Sequence, residues 1–246
     1  MTSDFIAADW PAPPNVIAGT TLRSGGVSQG AWKSLNLGIH VGDDPKAVAE
    51  NRARLRGGFR LDAEPAWLRQ VHGTAVARAP LTEAEPEADA CWTSAGNTAC
   101  AVLTADCLPV LLTTRDGSRL AAAHAGWRGL VGGVLEAVIE AMGASPDDLL
   151  AWLGPAISQP AFEVGDEVRA AFVALDPDAA AYFEANPRGR WQADLYGLAR
   201  RRLALAGVSD VHGGGRCTSR ETEAFFSYRR DGITGRMASL IYRSDA

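Results

Sequence analysis

Five short apolar runs crowd into the stretch between residues 66 and 153, each closed by turn residues: Ala66 to Val71, Cys100 to Ala105, Pro109 to Thr114, Arg119 to His124 and Leu149 to Leu153. Runs of this length are too short for buried helices and read as strands, so the chain must build at least one sheet. Ala238 to Tyr242 adds a further strand. Helical spacing is clearest from Leu130 to Met142, where Leu130, Val131, Val134, Leu135, Val138, Ile139 and Met142 fall on one face and Gly143 supplies a stop. Gly165 to Leu175 and Leu195 to Leu205 repeat that spacing, closed by Asp176-Pro177 and by Gly207. The pattern predicts a mixed α/β fold whose strand order periodicity leaves open.

The polar stretches Thr82 to Ala88 and Asn186 to Arg190 are too short to tether independent domains, and no fixed-period repeat is present, so a single domain over residues 1–246 is expected. With 24 basic and 29 acidic side chains the net charge is −5, which gives no basic field for nucleic acid or anionic lipid. No apolar run approaches the roughly 20 residues of a membrane span, and Met1, Thr2, Ser3 and Asp4 do not begin a secretory signal. A soluble, cytoplasmic protein with neither nucleic-acid nor membrane partners is expected. Four cysteines without a CxxC pair argue against disulfides.

Three strand ends in the middle of the chain finish in potential metal ligands: His72, Cys107 and His124. Spacings this wide require the fold to bring them together. Two imidazoles and a thiolate suit Zn²⁺, and three protein ligands leave a fourth position for water or substrate. Two other readings stay open on the bare sequence. Each residue can be an ordinary interior side chain, or Cys107 can be a nucleophile with a histidine as its base.

Other polar strings could hold an anion or substrate. His124-Ala125-Gly126-Trp127-Arg128-Gly129 precedes the clearest helix, whose N-terminus with Arg128 could receive an anion, or whose glycines merely allow a tight turn. Arg23-Ser24-Gly25-Gly26 is a glycine-rich turn with a cation but matches no phosphate-loop pattern. Asn36 and His40 are hydrogen-bonding groups in a polar turn, and Phe225-Phe226-Ser227-Tyr228-Arg229-Arg230 could stack a base or be a strand end with core aromatics.

Taken together these strings carry a family resemblance. Ser34-Leu35-Asn36-Leu37-Gly38, Gln70-Val71-His72-Gly73, Thr104-Ala105-Asp106-Cys107-Leu108-Pro109, His124-Ala125-Gly126-Trp127-Arg128-Gly129, Leu153-Gly154-Pro155-Ala156-Ile157 and Thr234-Gly235-Arg236-Met237 occur in the order of the laccase-domain family. That family is historically named for multicopper polyphenol oxidases, includes peptidoglycan-editing-factor-like members, and is regarded as purine nucleoside phosphorylases with adenosine deaminase activity. The similarity runs from about Thr20 to Tyr242. It implies an α/β/β/α domain in which two mixed β-sheets pack face to face with outer helices, like the catalytic domain of the cytotoxic necrotising factors. It implies zinc on His72, Cys107 and His124, with substrate or phosphate contacts at Arg23, Asn36 and Gln70 beside the sequence candidate Arg128. The implied substrates are adenosine, inosine, guanosine, methylthioadenosine and phosphate.

Multicopper oxidation needs several copper centres with many histidine ligands, and four histidines in the whole chain cannot furnish them. For deamination the residues around Cys107 offer Asp106 as an acid–base partner by adjacency, although neighbours on a strand face opposite ways. Two alternatives from other classes remain: an amidase removing mis-incorporated serine from muramyl-peptide precursors, and a non-catalytic zinc domain that binds a partner.

Overall fold

The computed structural model describes residues 5–244. The chain opens with strands β1 (Phe5–Ala7) and β2 (Val16–Thr21), followed by helix α1 (Pro45–Phe59). Strands β3 (Val76–Arg78), β4 (Ala90–Thr93), β5 (Cys100–Thr104), β6 (Leu108–Thr114) and β7 (Leu120–Ala125) come next, then helices α2 (Trp127–Gly132) and α3 (Val134–Met142). After β8 (Leu149–Leu153) the chain forms β9 (Glu163–Val164), α4 (Asp166–Leu175), β10 (Phe183–Ala185), β11 (Trp191–Ala193) and α5 (Leu195–Leu205). It closes with β12 (Asp210–Gly213), α6 (Tyr228–Asp231) and β13 (Met237–Arg243).

Two principal sheets result. One has the order β12-β8-β6-β7-β4-β3 and the other β1-β2-β13-β5, while β10-β11-β9 forms a small third sheet. The six-stranded sheet is mixed, because β12 and β3 join it in parallel while its inner pairings are antiparallel. The four-stranded sheet is antiparallel throughout, where the resemblance implied a mixed one.

Side-chain alternation explains the layering. On β6, Leu108, Val110 and Leu112 join the core formed with α3, α4 and α5, whereas Leu111 joins Val102, Ile241 and Trp152 between the sheets. On β13, Ala238, Leu240 and Tyr242 face α1 residues Leu55 and Phe59, whereas Ile241 faces inward. Both sheets therefore bury two faces, which gives helix, sheet, sheet and helix in section. Each fully buried Leu or Val there contributes roughly 1.5–3 kcal/mol.

Helix boundaries follow local chemistry. The Asp44 carboxylate caps α1 by accepting from the Lys46 N–H at 2.9 Å, and Pro45 occupies the first turn. The single helix expected from residue 130 to 142 is divided, because Gly133 takes a φ of +98° and ends α2 before α3 starts. The strand expected over Ala66 to Val71 is replaced by isolated bridges at Ala66 and Arg69, and β4 is a strand the sequence reading passed over. Among the described residues no helix is long and apolar enough to cross a membrane.

Candidate metal centre

The chain crosses from one sheet to the other between β5 and β6, and Cys107 lies in that crossing. His124 sits at the end of β7, where it pairs with Pro109 at the start of β6, so the ladder brings it to the same rim. His72 arrives from the segment before β3 with a φ of +63°. The donor atoms of these three side chains all lie within 4.8 Å of one another. Cys107 Sγ is 4.0 Å from His72 Nε2, and the two imidazole rings stand edge to face with centroids 4.9 Å apart.

A buried carboxylate that the sequence reading missed holds this arrangement. Asp89 is fully buried and stands just before β4. Its Oδ1 accepts from the His72 backbone N–H at 2.9 Å and faces His124 Nδ1 at 2.8 Å. Its Oδ2 accepts from the N–H groups of Gly73 at 2.7 Å and Val71 at 3.1 Å. An ionised carboxylate only accepts, so His124 Nδ1 carries the proton and Nε2 is left as the ligating atom. Four donors converge on one carboxylate, and this fixes both the backbone bearing His72 and the ring of His124. Burial opposes ionisation of Asp89, but the His124 and Gly73 hydrogen bonds outweigh it and hold the carboxyl below its ordinary range.

Gly126 completes the cradle. A Cβ there would stand 3.0 Å from Cys107 Sγ, 3.1 Å from His72 Cδ2 and 3.6 Å from His124 Cε1, so a bare backbone is what lets the three ligands close together.

The charges are set by competing effects. Burial raises the Cys107 thiol, but the charge and hydrogen bond of His124, together with His72, bring it down to about 6. Burial disfavours imidazolium at His124, yet the Cys107 thiolate and Asp89 push it up to about 9. Between these values the metal-free pair is thiolate and imidazolium, and a metal must displace the proton on His124. Metal affinity should therefore rise about tenfold per pH unit between about 6 and 9, steepen below 6 as Cys107 also protonates, and level off above 9. Competition titrations with a chromogenic chelator across this range measure the slope, and calorimetry in buffers of different ionisation enthalpy counts the released proton.

The three residues open onto a cavity of about 370 Å³ lined also by His40, Gln70, Leu103, Thr104, Ala105, Tyr228 and Arg236. A larger cavity of about 600 Å³ beside α1, lined by Arg52, Trp67 and Glu85, contains no imidazole or thiol.

The other sequence candidates divide. Gln70 is on the wall, where its amide accepts from the Leu103 N–H at 2.7 Å and donates to the Leu103 carbonyl at 2.9 Å, tying the His72 segment to β5. Asn36 lies outside the lining, with its amide satisfied by Gly38, Asp43 and the Arg236 N–H. Arg23 is also outside it, donating to the carbonyls of Lys33 and Thr222 over the Phe226 ring. Arg128 is exposed and stacks on Trp127. Asp106 turns away, accepting from the Thr218 hydroxyl at 2.6 Å and the Arg229 N–H at 2.7 Å. The glycine-rich turn packs against its own chain, since a Cβ on Gly26 would meet the Ser34 carbonyl at 2.2 Å. Phe225 and Phe226 are core residues.

Comparison with known proteins places this geometry. A family model described as multi-copper polyphenol oxidoreductase laccase matches residues 17–244. A Pseudomonas aeruginosa protein named purine nucleoside phosphorylase is 55% identical, covering 98% of this chain and 99% of the relative. An Escherichia coli protein of that name, YfiH, is 52% identical over 98% of this chain and 99% of its own. The crystal structure of Neisseria meningitidis protein NMB0706 superposes with a TM-score of 0.95 at 54% identity, covering 98% of this chain and 100% of that one. YlmD from Geobacillus stearothermophilus gives 0.92 at 31% identity, covering 100% and 98%.

Proposed function

Because the chain belongs to the family described as multi-copper polyphenol oxidoreductase laccase, and its curated relatives bear the name purine nucleoside phosphorylase, we propose that it is a zinc-dependent purine nucleoside phosphorylase. Its substrates in this reading are adenosine, inosine, guanosine and methylthioadenosine, each split by phosphate into base and (methylthio)ribose 1-phosphate, with deamination of adenosine to inosine as a second activity of the same cavity. The observation that carries the reading is the convergence of His72, Cys107 and His124 on a concavity of about 370 Å³, within the size range of small-molecule sites.

The donor set fits zinc: one thiolate and two imidazoles, with His124 oriented by a carboxylate and the Gly126 backbone leaving room for all three. Bound there, zinc supplies a Lewis acid at the cavity wall. Asp89 keeps the His124 tautomer and the His72 backbone in place, and Gln70 anchors that segment to β5. Tyr228 is an exposed aromatic side chain on the cavity wall and offers a flat purine a surface to stack on. In phosphorolysis a phosphate oxygen bonds to the anomeric carbon as the glycosidic bond breaks, its electron pair leaving with the purine. The wall must position both reactants for that exchange.

Incubating the zinc-loaded protein with adenosine tests the reading. Adenine and ribose 1-phosphate should form only when phosphate is present, and inosine should form with or without it. Adenosine left intact in the presence of phosphate refutes the phosphorylase reading, and cleavage of a serine-bearing muramyl peptide by the same sample would replace it with an amidase.

A further inference from the structure

Four partly buried arginines of this fold are each matched by a carboxylate. Arg52 pairs with Glu85, Arg201 with Asp176, Arg202 with Glu136 and Arg230 with Asp231, each at 2.7 Å. Arg236 on the cavity wall departs from this. Its Nη1 donates to the carbonyls of Thr234 at 3.1 Å and Gly235 at 3.0 Å, and among the described residues it forms no ion pair. Its position is nonetheless well determined. Asn36 Oδ1 accepts from its backbone N–H at 2.9 Å, and a Cβ on Gly38 would lie 2.9 Å from Arg236 Cγ, so Gly38 makes room for the side chain. Cys107 and Asp106 act on it as opposing charges without an ion pair, burial still makes the cation costly, and an anionic ligand in the cavity would offset that cost.

A second group on the same wall lacks a partner. Thr104 is 1% exposed, and its Oγ1 is buried with no hydrogen bond. Buried hydroxyls are nearly always satisfied, so this one is a donor left over for a ligand in the cavity that Thr104 lines. Thr104 is the last residue of β5 and pairs in register with Met237, the residue following Arg236. The register therefore brings the end of β5 and the start of β13 to one cavity, which both residues line.

We propose that Arg236 and Thr104 form an oxyanion subsite beside the metal centre and that it takes inorganic phosphate. The assignment rests on the phosphorylase reading for its ligand. A guanidinium whose Nε and Nη2 edge is not engaged by the protein matches two phosphate oxygens, and the hydroxyl supplies a further donor. It also replaces Arg23 and Arg128, the cations expected to contact phosphate, neither of which lines the cavity.

Calorimetric titration of inorganic phosphate into the zinc-loaded protein tests this, with zinc content and melting temperature recorded for each variant. Arg236→Gln should weaken phosphate binding by at least about tenfold, and Arg236→Lys by less, because an ammonium keeps the charge but loses the fork. Thr104→Val should weaken it a few-fold without lowering the melting temperature, since the lost hydroxyl had no partner in the fold. Wild-type phosphate affinity in a folded, zinc-replete Arg236→Gln protein overturns the subsite, because the metal alone then holds the anion. Wild-type affinity in Thr104→Val removes the hydroxyl from it. A wild-type protein that binds phosphate through Arg236 yet splits no nucleoside would leave the subsite standing and end the phosphorylase reading. Phosphorolysis by Arg236→Gln with an unchanged phosphate KM would do the reverse.

Discussion

Cys107→Ala is expected to leave a folded protein that no longer retains zinc through purification and whose phosphorolysis and deamination both fall to background. A four-ligand structural zinc is worth about 10–16 kcal/mol, or roughly 3–4 kcal/mol per ligand, so losing the thiolate should cost two to three orders of magnitude in affinity. The side chain sits in a chain crossing at an intermediate depth, so the fold should lose little. Metal content by mass spectrometry and product analysis with adenosine and phosphate read the two effects together. Full turnover by the metal-free variant would sink the metal-dependent reading. Wild-type protein that stays active after chelation, while Cys107→Ala is dead, would point instead to a cysteine nucleophile with a histidine base.

Replacement of Asp89 should damage both stability and metal binding, because four donors end on that one carboxylate. Each buried donor left unpaired costs about 1–3 kcal/mol, and removal of one member of a buried charged pair costs about 3–5 kcal/mol. Asp89→Ala should accordingly lower unfolding stability by about 3–5 kcal/mol in denaturant titrations. Asp89→Asn preserves shape but presents an amide to His124, and zinc affinity should fall by about 10–100-fold, the usual effect of losing a ligand-orienting carboxylate. An Asp89→Asn protein with wild-type zinc affinity would confine the residue to a role in the fold.

That His72, Cys107 and His124 come together was legible in part, because Cys107 and His124 follow or end strand-like runs, and strand ends are where a sheet delivers side chains to a rim. Their family resemblance, not their spacing, identified them as a set. Asp89 was not legible, since it follows an acidic stretch and reads as more of the same. The available signal was its place directly before Ala90-Cys91-Trp92, an apolar segment that becomes an inner strand. Arg236 stood within a recognised string, but its arrival at the cavity wall follows from β13 pairing with β5, a contact that local pattern cannot reveal. The segment from Ala66 to Val71 has strand-like composition, yet it forms only isolated bridges: the Ala66 and Arg69 N–H groups go to different neighbours, the carbonyls of Ala99 and Pro86, the Gln70 side chain takes the Leu103 backbone, and the Val71 N–H goes to Asp89. The α4 and α5 segments were read closely, since their apolar spacing and stops are local properties.

The strand that separates β2 from β5 is β13, and the Thr20 hydroxyl meets that of Ser239 across 219 residues. A ribosome therefore delivers His72, Cys107 and His124 long before Arg236 and the strand after it, which sits in the middle of the second layer. Until that late insertion, β2 and β5 lack their shared neighbour, and closure of so wide a loop makes the final step slow. Completion of the pocket wall on this account waits for the last-made stretch of polypeptide, which supplies the middle strand of that layer.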